Sequence, residues 1–294
     1  MKIKYTRGEN IFNVFNIILL STFTLICLYP LLYVLFASFS EPARMFTYRG
    51  ALIAPLGFSL ESYQAVFKNP NIWIGYRNTG FIIAVGVTLN MVMTILGGYV
   101  ISRTYLMFRK VITFLVVFTM YFSGGLVPLF LIVQGLGMNN TIWALIFPVA
   151  INTFNMIIMR TAFMAVPDEM EESAIIDGAS QIRVLVSIMV PLVVPTLAVL
   201  VLYYVVQHWN SYFNAQVYLR NRTLFPLQLM LRGILIESTT SDMTGGSSST
   251  DDVVFLAETI KYAVIVVGTA PILFLYPFLQ RFFVKGVMIG AVKG

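Results

Sequence analysis

The chain has 294 residues, of which 58% are hydrophobic and 11% charged, whereas soluble domains average about a quarter charged residues. Its mean hydropathy of +0.83 excludes an ordinary soluble fold. The net charge of +6 comes from residues at the ends of apolar runs, which argues against nucleic-acid binding. One cysteine, Cys27, and one histidine, His208, provide neither an intramolecular disulfide nor a His-rich metal site. We therefore expect a membrane protein without a catalytic site, a metal site or a cofactor of its own.

Six apolar runs are long enough to cross a bilayer, for which a helix needs about 20 residues. They predict an all-α, polytopic membrane protein with six transmembrane helices. The first run is longer than a signal-peptide core and lacks a small-residue cleavage site, so we interpret it as a retained span. Gly124, Gly125, Pro128 and Pro148 predict kinks in the third and fourth runs. The predicted spans are 14–38, 75–101, 111–134, 141–164, 190–210 and 259–283.

Basic residues flank alternate ends of these runs, and cytoplasmic loops are enriched in Lys and Arg. This pattern predicts that both termini are cytoplasmic, in a multi-pass protein of the cell membrane. Residues 1–13 are then a cytoplasmic segment, 14–283 the six-span domain with outer loops at 39–74 and 211–258, and 284–294 a cytoplasmic tail. The basic residues that set this orientation are Lys2, Lys4, Arg7, Arg103, Arg109, Lys110, Arg281, Lys285 and Lys293.

The loop between the fourth and fifth spans, 166–191, carries the densest acidic cluster in the chain. Pro167 favours a helix start, and the carboxylates after it suit the positive end of the helix dipole. Gly178 is expected to end this helix or to allow a close approach. The pattern predicts an amphipathic helix, a glycine and a second helix outside the bilayer. Such a surface suits docking into a groove of a partner, and a solvated interfacial helix is the alternative.

This loop resembles the signature loop of binding-protein-dependent ABC importer permeases. Their pattern is Glu-Ala-Ala, three residues, Gly, nine residues, Ile, any residue, Leu-Pro. The chain has Glu172-Ser173-Ala174, Gly178, Ile188 and Val190-Pro191 at these positions, with Ser for Ala and Val for Leu. In that family the loop forms a cytoplasmic coupling helix that docks in a cleft of the ATPase. The resemblance therefore implies ATPase contacts for Glu171, Glu172, Ala174, Asp177, Gly178 and Ala179.

The last nine residues, 286–294, resemble the Gly-rich tail of the sugar-type permeases, which ends in Val-Lys-Gly. In maltose-type members this tail reaches between two ATPase subunits, and a frayed terminus is the alternative. The resemblance implies tail contacts for Gly290, Lys293 and Gly294, on an extended backbone that the glycines permit. The stretch 121–137 and the pair Trp209-Asn210 resemble the group that imports complex oligosaccharides, some of them pectin- or alginate-derived. Acidic oligosaccharides are therefore expected among the substrates.

The sequence contains neither a Walker A loop nor a nucleophile elbow, so ATP and Mg²⁺ are expected on partner ATPase subunits. The resemblance implies a second permease, two ATPase subunits and an extracytoplasmic solute-binding protein as partners. A permease for a non-sugar solute is an alternative. A secondary transporter is disfavoured because the predicted spans are nearly free of interior acids, which ion coupling would require.

Polar residues inside the fourth and fifth spans are candidates for a sugar path, because such residues are costly in a membrane. Tyr203, Gln207, Asn210 and Asn214 are spaced four, three and four residues apart, which predicts one face of a single helix. Amides can hydrogen-bond sugar hydroxyls, and aromatic rings can stack on the sugar; packing against the partner permease is the alternative. The complete predicted path is Tyr203, Gln207, Trp209, Asn210, Asn214, Asn152 and Asn155. Gly97-Gly98 in the second span and Gly124-Gly125 in the third predict close helix packing.

Overall fold

The computed structural model describes the backbone of residues 6–244 and 251–291, and side chains within 6–236, 255–275 and at 277. Helices account for the regular structure of these ranges, which confirms the predicted all-α fold. Short 3₁₀ turns occur at Phe147–Val149 and Arg222–Leu224, and a π-helical turn at Leu185–Met189. The α-helices are α1 (Arg7–Ser38), α2 (Pro42–Thr47), α3 (Glu61–Lys68), α4 (Pro70–Ser102), α5 (Arg109–Tyr121), α6 (Leu126–Gly135), α7 (Trp143–Ile146), α8 (Thr153–Met164), α9 (Asp168–Ile176), α10 (Gln181–Val184), α11 (Val190–Leu192), α12 (Val194–Trp209), α13 (Phe213–Tyr218), α14 (Leu227–Thr244) and α15 (Asp251–Ala291).

Among the described residues, three helical segments are long and apolar enough to cross a membrane: α1, α4 and the Phe255–Leu275 part of α15. They coincide with the first, second and sixth predicted spans. The other three predicted spans are pairs of helices joined at a bend. The bends are 108° between α5 and α6, 48° between Trp143–Val149 and α8, and 86° between Gln181–Leu192 and α12. The count reaches six if each bent pair is one span.

The bends have local causes in the backbone. Between α5 and α6, Phe122 is extended and Gly125 has φ +88°, a left-handed conformation that glycine adopts without strain. Pro148 lies in the 3₁₀ turn that follows α7. The kinks predicted in the third and fourth spans are therefore confirmed. A bend also interrupts the fifth predicted span, where none was predicted: the helix turns at Val193, between prolines at 191 and 195 that have no N–H to donate.

The chain forms two compact units, and the first comprises Met1–Asn69 with Leu231–Thr269. A capping box starts α1: the backbone N–H of Thr6 donates to Glu9 Oε2 at 2.6 Å, and Thr6 Oγ1 accepts from Glu9 N–H at 3.4 Å. Most of the apolar side chains of α1 are exposed, as suits contact with lipid or another membrane chain. The small core of this unit contains Ala37, Met45, Leu52 and the partly buried Tyr33, Phe36, Tyr48, Leu56 and Tyr262.

The second unit, Pro70–Met230 with Ala270–Gly294, is organised around α4, which packs against α8 and α12. Gly98 permits the close approach of α8, because a Cβ there would lie 3.0 Å from Met159 Cβ and 3.1 Å from the backbone nitrogen of Arg160. The predicted packing role of Gly97-Gly98 is confirmed, whereas that of Gly124-Gly125 is not seen within the described part of the chain: a Cβ at 124 meets only Pro128 Cβ, at 3.8 Å, and a Cβ at 125 meets no atom within 4 Å. Residues near Ile82 and Tyr218 form one apolar core, and residues near Met159 and Leu200 form another, beside the loop 166–191.

The predicted outer loops contain helices of their own. The range 39–74 includes α2, α3 and the start of α4, and 211–258 includes α13, α14 and the start of α15. At the carboxyl end α15 continues through Ala291, so that Gly290 lies in a helix. The prediction of an extended tail is therefore wrong for residues 286–291, which are helical. Lys293 and Gly294 lie outside the described residues.

Candidate functional site

The loop 166–191 folds as two short helical limbs joined at Gly178. The first limb, α9, follows Pro167 and carries Asp168, Glu169 and Glu171 in its first turn, where negative charge suits the helix dipole. Gly178 closes it with φ +84°. The N–H of Gly178 donates to Ile175 O at 3.0 Å, and that of Ala179 to Ala174 O at 2.9 Å, which is a Schellman motif. Gly178 therefore ends the helix, as predicted.

The second limb begins at Ser180, whose Oγ accepts from the N–H of Arg183 at 3.4 Å and caps α10. It continues through the π-helical turn Leu185–Met189, in which the N–H of Val190 donates to Leu185 O. Such turns are frequent at functional sites. After α11 the chain bends at Val193 and enters α12. The second limb thus connects the loop directly to the fifth predicted span.

A buried ion pair anchors the first limb to the end of α4. The guanidinium of Arg103 contacts the carboxylate of Glu171 through Nη1 and Oε2, and the two residues are only 5% and 4% exposed. Nη2 of Arg103 also donates to Phe163 O at 3.2 Å, and Nε donates to Ser102 Oγ at 2.9 Å. The exposed Asp168 lies 3.9 Å from Arg103 Nη1. The buried charges are therefore both paired and hydrogen-bonded, which a low-dielectric interior requires.

Two tyrosines complete this polar cluster and reach the second limb. The Tyr99 hydroxyl lies 2.9 Å from both Glu171 Oε1 and Gln181 Oε1, and its single proton can be donated to either oxygen. The Tyr105 hydroxyl lies 3.4 and 3.2 Å from the same two oxygens. Partial burial is the main cause that raises the pKa of Tyr105, and the Glu171 carboxylate raises it further. This hydroxyl therefore stays protonated at neutral pH and remains a donor.

The six residues predicted to contact an ATPase do not share one environment. Glu172, Asp177 and Gly178 are exposed, whereas Ala174 and Ala179 pack against the core near Met159. Glu171 was expected on the contact surface and is instead turned inward to Arg103, because the buried guanidinium needs a counter-charge. The expected separation of apolar and acidic faces is also wrong. The outward side carries large apolar side chains beside the acids: Met170, Ile175, Ile176 and Ile182.

A polar cavity of about 140 Å³ lies where α12 ends. The helix stops at Trp209, and α13 begins at Phe213, so the predicted single helix face through Asn214 is wrong. Gln207, Asn210 and Asn214 nevertheless line the same cavity, on either side of the turn that separates α12 from α13. The lining residues are Val149, Gln207, His208, Asn210, Ser211, Phe213 and Asn214.

The other residues predicted for the sugar path do not line this cavity. Tyr203 is 41% exposed, one turn before Gln207. Trp209 is nearly buried, with its ring 6.3 Å from that of Tyr76. Asn152 caps α8 by accepting from the N–H of Asn155 at 3.1 Å, and Asn155 is itself buried. Three of the predicted amides therefore share one cavity, and a role in the sugar path stays a prediction for all seven residues.

Comparison with known proteins decides the family. No family model matches the sequence. The chain is 40% identical over 277 residues to the polygalacturonan/rhamnogalacturonan transport system permease protein YtcP of Bacillus subtilis, covering 92% of this chain and 94% of that protein. It is also 40% identical over 290 residues to protein LplC of Bacillus subtilis, covering 98% and 97% of the two chains. The chain belongs to the ABC importer permeases for carbohydrates.

The permease also resembles a chain in the crystal structure of a bacterial ABC transporter involved in the import of the acidic polysaccharide alginate. The TM-score is 0.85 at 31% identity, with 96% of this chain and 100% of that chain covered. The permease is therefore a multi-pass membrane protein, and its relatives are transport proteins rather than enzymes.

Sequence reasoning missed the residues that hold the permease's loop in place. Arg103 was used only as an orientation signal at the end of a span, and Tyr99 and Gln181 were not singled out. Arg103 and Glu171 are 68 positions apart, so no local spacing connects them. One signal was available: a cation at the end of one predicted span and an acidic loop between two other predicted spans could pair.

Proposed function

We propose that this permease forms, with a second and similar permease, the translocation path of an ATP-driven importer of complex oligosaccharides, including acidic ones. It crosses the cell membrane six times, with both termini in the cytoplasm. Three bent helix pairs count as single spans in this proposal, which the lengths and composition of the helices support. The substrates named for the relatives, polygalacturonan, rhamnogalacturonan and alginate, support an acidic oligosaccharide.

The anchored loop is the observation that carries the coupling role. Its outward surface presents Ile176, 85% exposed, and Ile182, 76% exposed, beside the carboxylate of Glu172. Exposed apolar groups rimmed by charges are typical of a surface that is covered by a partner. The opposite side of the same loop is fixed to α4 by Glu171 and Arg103. We assign this outward surface to a coupling helix that docks on one of two ATPase subunits.

In this proposal, ATP and Mg²⁺ are bound by the partner subunits. Closure of the ATPases on ATP moves the docked loop, and the loop moves α4 and α12, to which its limbs are attached. The spans then switch from an inward-facing to an outward-facing arrangement, and an extracytoplasmic binding protein delivers the sugar. Residues at the carboxyl end, Gly290, Lys293 and Gly294, add a second contact with the ATPases.

The cavity at the end of α12 is the proposed sugar-contacting part of the path. Gln207, Asn210 and Asn214 supply amide donors and acceptors that match sugar hydroxyls, and Phe213 supplies a ring for the apolar sugar face. None of the described lining residues is Lys or Arg, so this cavity would contact hydroxyls rather than carboxylates. Discrimination for acidic sugars would then lie elsewhere, in the binding protein or the second permease.

The test is substrate-stimulated ATP hydrolysis and uptake by the assembled complex in lipid, with its binding protein. The matched probes are galacturonate oligosaccharides and the same oligosaccharides with their carboxyl groups reduced to alcohols. We expect stimulation by the acidic series and little by its neutral counterpart. Equal stimulation would remove the acidic specificity but keep the sugar importer. No response to any saccharide by a complex that hydrolyses ATP would overturn the proposal.

A further inference from the structure

We infer that four residues, Tyr99, Arg103, Glu171 and Gln181, form a clamp that transmits movement of the coupling loop to α4. This inference rests on the proposed function. In it Glu171 and Arg103 are positioning residues, which act through the loop and do not touch the ATPase. Glu171, the acidic residue just before the Glu172-Ser173-Ala174 motif, then acts inside the permease through its ion pair with Arg103.

The clamp holds both limbs of the loop at the last turn of one helix. Arg103 and Tyr99 of the α4 end region meet Glu171 of the first limb, and the Tyr99 hydroxyl also lies 2.9 Å from Gln181 Oε1 of the second limb. Arg103 additionally donates to Phe163 O near the end of α8. One guanidinium therefore connects three helices, and a displacement of the loop is shared between α4 and α8.

Burial makes this connection stiff. The Arg103–Glu171 pair is almost entirely shielded from water. In such a buried environment the attraction between opposite charges is stronger than at the protein surface. Separating Arg103 from Glu171 would leave two buried charges without partners, which is strongly unfavourable. The neighbouring contacts of Ala174 and Ala179 are apolar and non-directional, so they would allow sliding. The loop and the α4 end should therefore move as one body.

A role in transmission can be separated from a role in stability. Buried ion pairs can often be replaced by apolar pairs of similar volume without loss of stability, whereas removal of one partner strands the other. The double variant Arg103→Met/Glu171→Met removes the link and leaves no unpaired charge. Tyr99→Phe is milder, because it keeps the ion pair and deletes only one hydroxyl, the closer of the two that reach both limbs.

Tyr204→Phe is the matched control. Its hydroxyl is also buried and lies 2.6 Å from Thr94 Oγ1 of α4, but this contact joins α12 to α4 and does not reach the loop. Arg44→Gln serves as a second control, since Arg44 forms an exposed ion pair with Glu41 outside the loop. Neither control variant touches the clamp.

The experiment measures oligosaccharide transported per ATP hydrolysed, in proteoliposomes containing the whole complex and the binding protein. We expect the ratio to fall about tenfold in the double Met variant and about threefold in Tyr99→Phe, with both controls at the wild-type ratio. A wild-type ratio in Tyr99→Phe and in an assembled double Met variant would overturn the clamp, as would an equal fall in Tyr204→Phe. If the double variant does not assemble, the comparison of Tyr99→Phe with Tyr204→Phe alone decides whether the clamp transmits movement.

A wild-type complex that transports no saccharide would instead overturn the proposed function, and the clamp with it.

Discussion

Gly86 lies directly against the imidazole of His208, and a Cβ at position 86 would stand 2.6 Å from Nε2. The same Nε2 is 2.7 Å from Asn90 Oδ1, and the Asn90 amide donates to Val149 O at 2.6 Å and Ala150 O at 2.9 Å. The absence of a side chain at 86 thus lets one imidazole join α12 to α4, while Asn90 holds the turn before α8. His208 and Val149 also line the polar cavity, so this network shapes its wall.

Gly86→Ala should displace His208 and weaken this network. Because the obstacle is a ring inside a packed interface, we expect a loss of about 1–3 kcal/mol in the free energy of unfolding. The measurement is the thermal melting midpoint of the purified complex. Gly80→Ala is the control in the same helix, since a Cβ there meets no atom within 4 Å. Equal midpoints for the two variants would contradict the close packing of Gly86 and His208.

Gly98→Ala should destabilise the permease more than Gly97→Ala. A Cβ at 98 would meet Met159 Cβ and the backbone nitrogen of Arg160, which cannot move without shifting α8. A Cβ at 97 would meet the sulfur of Met156, the flexible part of a side chain that can change rotamer. We expect a difference of about 1 kcal/mol between the two variants, measured by thermal melting. A larger loss of stability for Gly97→Ala would mean that α8 shifts more easily than the Met156 side chain changes its rotamer.

Substitutions at Gly178 distinguish two reasons for a glycine there. Its φ is +84°, and a Cβ at this position would meet no atom within 4 Å, so the permease itself requires only the left-handed backbone. Left-handed strain of about 1–2 kcal/mol predicts that Gly178→Ala weakens ATPase association about tenfold. Gly178→Asn should weaken it less, since asparagine tolerates this conformation. The affinity of the ATPase for the permease in detergent measures both.

The ATPase affinity of Gly178→Asn distinguishes a requirement for the left-handed backbone from a close approach by the ATPase. If the ATPase surface also approaches Gly178 closely, the larger Asn side chain will be at least as damaging as Ala. Such a result would favour the second role that the sequence allowed for this glycine, a close approach by a partner.

The amides of the cavity should affect sugar handling, and Tyr203 should not. Gln207→Ala and Asn214→Ala each remove one set of hydrogen bonds, so we expect the KM for uptake to rise about fivefold. Tyr203 lies on α12, as Gln207 does, but outside the cavity lining. The KM of Tyr203→Ala should therefore match that of the wild type. The measurement is concentration-dependent uptake in proteoliposomes. An unchanged KM in both amide variants would assign the cavity to packing against the second permease.

Local sequence patterns determined much of this protein. The apolar runs determined the membrane class and the positions of the three helices long enough to cross a bilayer, because a run of about 20 apolar residues favours a membrane independently of distant contacts. Pro148, Gly124 and Gly125 indicated two of the three bends. The spacing of Glu172, Gly178 and Pro191 indicated the importer-permease family, and Gly178 ends α9 as predicted because a left-handed residue there is a local requirement.

Only the tertiary structure decided which side chains of that loop face inward. Glu171 and Glu172 are adjacent acids on one short helix, and nothing in their sequence distinguishes them. Glu171 is buried because Arg103, 68 positions away, is brought beside it by the packing of α4 against α8. Likewise, the cavity amides meet because the chain turns between α12 and α13, where helical periodicity stops applying. Pairing across distant segments depends on their contact in three dimensions, and spacing along one chain does not encode it.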